Sequence, residues 1–150
     1  MPTLTDASIW QTPPTLEGMN AMNPTTLGES LGIRFTDFGD DFLAAEMPVD
    51  ARTVQPFRML HGGASVALAE TLGSVAGFLA LHEPSDYIVV GVDINATHLR
   101  SVMEGGMVTG TVRPVRVGRT VQVWQIDVVD QRGRAVCSSR LTAQVVRRRG

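Results

Sequence analysis

The chain of 150 residues contains no lysine; all 13 of its basic residues are arginine. That absence excludes a P-loop lysine, a Schiff-base lysine and a Ser–Lys dyad. Cysteine is almost as scarce. Cys137 stands alone, so neither an intrachain disulfide nor a cysteine-based zinc site can form. A reducing, cytoplasmic setting is the one this implies. An excess of positive charge is missing too: the formal net charge is −2, which supplies no electrostatic reason for a nucleic-acid partner. The opening MPTLTDASIW carries an acid and no base and does not read as a signal peptide. His61, His82 and His98 lack metal-ligand spacing such as H-E-x-x-H. A nucleophile elbow G-x-S-x-G is absent as well: Gly73-Ser74-Val75-Ala76-Gly77 has its serine one place early.

What is present fits one soluble globular domain, with 43% hydrophobic and 19% charged residues. Residues 1–14 are polar, end in Pro13-Pro14 and read as an N-terminal arm; residues 15–150 read as a single domain. TLEGMNAMN (15–23) predicts a short helix with Thr15 as N-cap and Leu16, Met19 and Met22 on one face. Residues 24–28 predict a turn or a second short helix. GIRFTDF (32–38) and FLAAEMPV (42–49) predict a hairpin closed at Gly39-Asp40-Asp41. A loop over 50–61 leads into a long helix, 62–81. Strands are predicted over 86–100, 105–118, 119–130 and 134–148, with a turn at Asp130-Gln131-Arg132-Gly133.

The order β-β-α-β-β-β-β implies an α+β fold. A helix apolar on nearly every side must be surrounded. An antiparallel meander following it, curved around the helix, is the economical cover. One sheet cannot enclose the helix, so a partner subunit is expected. Gly73 and Gly77 would allow close approach on one side. The 62–81 run approaches membrane-spanning length, but Ser65, Glu70, Thr71, Ser74 and its glycines favour a buried core helix over a membrane span.

The stretch LHGGASVALAET (60–71) carries the chemistry. A helix starting at Gly62-Gly63 presents unpaired backbone N–H groups at the positive end of its dipole, and glycine lets a ligand approach them. That is an oxyanion binder, and one such donor is worth about 2.7–4 kcal/mol of barrier. Glu70 is the one acid in a small and apolar run. It lies eight residues on, about 12 Å along the axis. The amides and the carboxylate of one helix therefore cannot act on one carbonyl. Two antiparallel helices related by a two-fold axis can, with amides from one subunit and carboxylate from the other. From the residues alone, Glu70 is either that shared acid or a buried acid satisfied by Gln55, a hydroxyl or a backbone amide. His-Gly-Gly is either the oxyanion site or a tight turn with a satisfied histidine.

PFRMLHGGASVALAETLGSVAG (56–77) resembles the hotdog-fold acyl-CoA thioesterases. Within them it is most similar to the branch of the Arthrobacter-type 4-hydroxybenzoyl-CoA thioesterase and the 1,4-dihydroxy-2-naphthoyl-CoA hydrolase of menaquinone synthesis. The likeness extends to MPVDARTVQPF (47–57), INATHLRSVMEGG (94–106) and VWQIDVVDQRGRAVCSSRLT (123–142). The resemblance implies a hotdog fold, with one central helix wrapped by a curved antiparallel sheet. It implies Glu70 as the carboxylate that attacks the thioester carbonyl or activates water, and Gly62 as the polarising N–H. Gln55 and His61 would hold the thioester, and Ser74 would position water or the carboxylate. Gly63 and His98 would contact the substrate; Arg100, Arg119, Thr120 and Arg148 would meet the coenzyme A portion, arginine being suited to phosphate. From the residues alone, His98 is equally a packed strand histidine and Arg147–Arg149 a solvated tail. An acyl-CoA substrate and a homodimer with shared sites follow from the likeness, as does a homotetramer. No cofactor is called for, since a thioester is already activated. Two other readings stay open: an acyl-thioester hydratase or dehydratase with His61 as base, and a non-catalytic acyl-CoA-binding module.

Overall fold

The computed structural model describes residues 2–150. Two short helices, α1 (Leu16–Asn20) and α2 (Leu27–Leu31), precede strands β1 (Arg34–Phe38) and β2 (Leu43–Pro48). The long helix α3 (Gly62–Leu79) follows, then β3 (Tyr87–His98), β4 (Met107–Val117), β5 (Val121–Asp130) and β6 (Ala135–Arg147). The six strands form one antiparallel sheet in the order β1-β2-β4-β5-β6-β3, with α3 packed on one face. This is the α+β hotdog architecture.

Local chemistry accounts for the boundaries. The Thr15 hydroxyl accepts from Gly18 N at 3.0 Å and starts α1. Gly39 N bonds to Phe42 O across the β1–β2 turn. Gly133, with φ at +75°, closes the β5–β6 turn in a conformation that favours glycine. The alternation in β4 and β5 turns Val108, Gly110 and Val112, and Gln122, Trp124, Ile126 and Val128, toward the helix. Leu68 and Leu72 of α3 meet them in a core with no solvent exposure. Burying each such side chain stabilises by about 1.5–3 kcal/mol.

Three expectations need correction. The four strands after α3 do not form a simple meander: β3 pairs with β6, not with β4. The connection over 99–106 explains why. It runs past the start of α3, where Leu99 N bonds to Val136 O and Leu60 N to Val102 O, and so delivers β4 to β2. The helix ends at Leu79, capped by Ala80, rather than at 81. Met22, expected beside Met19 on the inner face of α1, is exposed, because the helix stops at Asn20.

The sheet covers only one side of α3, and half of the helix is buried. Val66, Glu70, Ser74, Val75 and Phe78 remain half-buried on the other flanks. Gly73 and Gly77 do allow close approach, but of the helix's own sheet. A Cβ on Gly73 would stand 2.5 Å from Leu141 Cδ2, and one on Gly77 would stand 2.6 Å from Gln122 Oε1. By length and composition α3 could cross a membrane, yet its buried face is the protein's core.

Residues of the arm pack along the domain. Trp10 is 6% exposed and stacks on Trp124, with centroids 6.2 Å apart and planes 7° from parallel. Its Nε1 donates to Gly39 O at 2.7 Å. Gln11 N and Thr12 N both donate to Leu79 O, at 2.9 and 3.0 Å, which ties the arm to the end of α3.

Candidate active site

The site is spread along the seam between α3 and the inner face of β3, which run in opposite directions. His61 caps the helix: its Nδ1 accepts from Gly63 N at 2.8 Å. The next two amides, of Ala64 and Ser65, bond to the His61 carbonyl. Gly62 N–H has no acceptor among the described residues. The histidine thus takes one of the helix's leading N–H groups and leaves its neighbour available. His98, the last residue of β3, stands over Gly62; a Cβ there would lie 2.8 Å from His98 Nε2. Only glycine leaves room for both the imidazole and an approaching oxygen.

Glu70 is half-buried and makes no hydrogen bond or ion pair to any described residue. Of the two readings the residues allowed, the structure does not show the satisfied acid. Gln55 is otherwise engaged: its Oε1 accepts from Phe57 N within the loop before α3. The carboxylate instead rests against Gly91 of β3. Ser74 lies one turn further along the same face.

Beyond Ser74 the seam opens into a cavity of about 480 Å³ at the end of α3. Arg119 and Thr120, from the β4–β5 turn, line it with Leu81, His82, Tyr87 and Gln122. Arg148 borders the same region, its Nε donating to Pro84 O at 3.1 Å and its N to Asp86 O at 2.7 Å. Arg100 does not join them. It follows His98 at the opposite end of α3, with its amide on Val136 O. Within one protomer, then, Gln55, His61, Gly62, Gly63, His98 and Arg100 gather at the helix start. Glu70 and Ser74 lie midway; Arg119, Thr120 and Arg148 lie at the far end.

The bond from Gly63 also bears on His61 as a general base. An Nδ1 that accepts a backbone N–H is not free to take a proton from a substrate. Among the described residues no group of three histidine, cysteine or acidic side chains is placed to hold a metal ion.

Three contributors escaped the sequence reading. Gln122 is 1% exposed and bridges Gly77 O and Trp124 Nε1, fixing the cavity wall to the core. Arg58 adopts a left-handed conformation, φ +61°, and pairs with Glu104, which shapes the Gln55–Phe57 loop. Gly91 faces the carboxylate. An isolated glycine in the strand pattern VVGVD was the one available signal for it.

Residues 57–137 match the family model described as Thioesterase superfamily, more than half of the chain. The chain belongs to that superfamily and is a thioester hydrolase. It is 51% identical over 138 residues to the 1,4-dihydroxy-2-naphthoyl-CoA hydrolase of Escherichia coli, covering 92% of this chain and 99% of that one. It is equally, 51%, identical over 138 residues to the proofreading thioesterase EntH of Cronobacter turicensis, covering 92% and 98%. A mutant thioesterase PA1618 from Pseudomonas aeruginosa superposes with a TM-score of 0.91 at 47% identity, over 94% of this chain and 100% of that one.

Proposed function

We propose that this protein hydrolyses an aromatic acyl-CoA, of the 1,4-dihydroxy-2-naphthoyl or hydroxybenzoyl type, to the free acid and coenzyme A. One observation carries the reading: an unbonded Glu70 carboxylate and an unbonded Gly62 N–H lie on one seam. The name borne by the Escherichia coli relative supports the acyl class and a place in menaquinone synthesis.

The separation along α3, about 12 Å, requires two subunits per site. In that arrangement the Gly62 N–H of one protomer polarises the thioester carbonyl, with Gln55, His61, Gly63 and His98 around it. Glu70 of the other, with Ser74 beside it, either takes a proton from a water whose oxygen adds to the carbonyl carbon, or itself attacks that carbon to give a mixed anhydride that water then hydrolyses to the free acid and the restored carboxylate. As the C–S bond breaks, the thiolate leaves toward the cavity, where Arg119, Thr120 and Arg148 meet the coenzyme A portion with Arg100 of the first protomer. The carboxylate and the N–H suffice, and no cofactor is invoked. Strand β3 supports such a dimer. It is an unpaired sheet edge of 12 residues bearing exposed Val90 and Val92, the kind of edge that proteins cover. Two such dimers would make the homotetramer, in a cytoplasmic setting that suits one buried, free Cys137.

The test is a thiol-release screen across aryl-CoA, alkyl-CoA, enoyl-CoA and carrier-protein thioesters, reading kcat/KM for each. Aryl-CoA hydrolysis that disappears in Glu70→Gln is expected. Enoyl hydration without thiol release, or an undiminished rate in Glu70→Gln, would overturn the reading.

A further inference from the structure

We propose that Gly91 is a positioning residue for Glu70: the side chain missing from β3 at this point makes the space in which the carboxylate stands. The inference rests on Glu70 being the reacting group, as read above.

Two independent features of β3 meet here. The first is steric. A Cβ on Gly91 would lie 2.5 Å from Glu70 Oε1 and 3.5 Å from its Cδ, with Leu141 Cδ1 at 3.4 Å. The first distance is closer than a carbon and a carboxylate oxygen can approach. The second is topological. The β3–β6 register runs through Gly91↔Ala143 and resumes at Asp93↔Thr142, so Val92 is an extra residue and β3 bulges opposite the acid. Bulges re-aim the chain beside functional groups.

The backbone itself does not demand glycine. Gly91 is not among the residues with positive φ, so alanine can adopt its conformation. What excludes a side chain is the carboxylate. Glu70 has no hydrogen bond to any described residue, so its direction in the protomer is set by packing against the bare backbone of β3. A methyl group on residue 91 meets the far end of a flexible side chain, which can swing aside. The fold then loses little while the reacting group is misplaced.

The experiment is Gly91→Ala in the full chain, with Val115→Ala, at an exposed position of β4, as the control. Displacement of a reacting group by about 1 Å costs roughly 10²-fold in rate, so kcat should fall 10- to 100-fold. KM should stay within about twofold, because substrate binding is not what is lost. Val115→Ala should keep its kcat. A crystal structure of Gly91→Ala reads the displaced carboxylate without reference to turnover, and if the variant does not fold, truncation to Glu70→Ala should restore it. An unmoved carboxylate or an unchanged kcat would overturn the proposal. An inactive wild type with a displaced carboxylate in the variant would instead fault the functional reading.

Discussion

The Nδ1 atom of His61 accepts the backbone N–H of Gly63 at 2.8 Å, and this bond divides the roles at the start of α3. One leading amide is consumed by the cap. The other, that of Gly62, has no acceptor among the described residues. The histidine therefore caps the helix through Nδ1 while its neighbour's amide stays unbonded.

Replacing His61 tests that division. His61→Ala removes the cap and should lower stability by about 0.5–2 kcal/mol. His61→Asn offers a carboxamide oxygen to the same amide and should recover most of the loss. Urea denaturation of the three proteins measures both steps.

The two-subunit site predicts complementation. Gly62→Val places a branched side chain where His98 Nε2 already lies, so it should be inactive alone, as should Glu70→Gln. Mixed dimers of the two hold one intact site of two. With random pairing, co-expression should restore about a quarter of wild-type turnover. Thiol release from the co-purified protein measures it, and no recovery would mean that each protomer holds its own complete site.

The stacked pair Trp10–Trp124 makes the arm a contributor to stability. Trp10→Ala removes the stack and the indole bond to Gly39 O, and should cost about 3 kcal/mol. Trp10→Phe keeps an aromatic face and should cost less than half of that. Thermal and urea midpoints read the difference, while the far-ultraviolet spectrum should stay unchanged.

Acid should destabilise the protein over a defined range. The Arg134 backbone N–H, then its guanidinium, hold Asp130 below the usual carboxylate value; Arg52 does the same for Asp50 and Arg58 for Glu104. The Thr5 hydroxyl and amide lower Asp40. Each pKa is depressed on folding, so the stabilisation is complete above the unfolded value, about 4, and is lost as pH falls through the lowered folded values. Urea midpoints should be flat from about pH 7 to 5 and fall below about pH 4.

Cys137 should be inert in the native protein. Burial, and secondarily the nearby Asp127, push its thiol above the ordinary value, which disfavours the reactive thiolate. Ellman's reagent should find no protein thiol until denaturant is added.

Much of this protein follows from neighbours in the chain. The Thr15 cap, the Gly133 turn, the period-two faces of β4 and β5 and the Gly-Gly start of α3 are short-range, and each depends on residues within a few positions. Glu70 stood out because one acid in an apolar helix needs a reason. The placement of β3 did not follow, because two neighbouring strands can pair with each other or with others at equal local cost. Only the 99–106 connection, held across the start of α3, sends β4 to β2 and leaves β3 on the edge.

The sequence by itself therefore determined the elements and singled out the helix start and the candidate acid, since these rest on local geometry and on side-chain type. The tertiary structure decided what lies opposite each group: Gly91 against Glu70, His98 over Gly62, Trp124 beneath Trp10. Those meetings join residues distant in the chain, and they are set by strand register and helix placement, which hydrophobic periodicity does not encode.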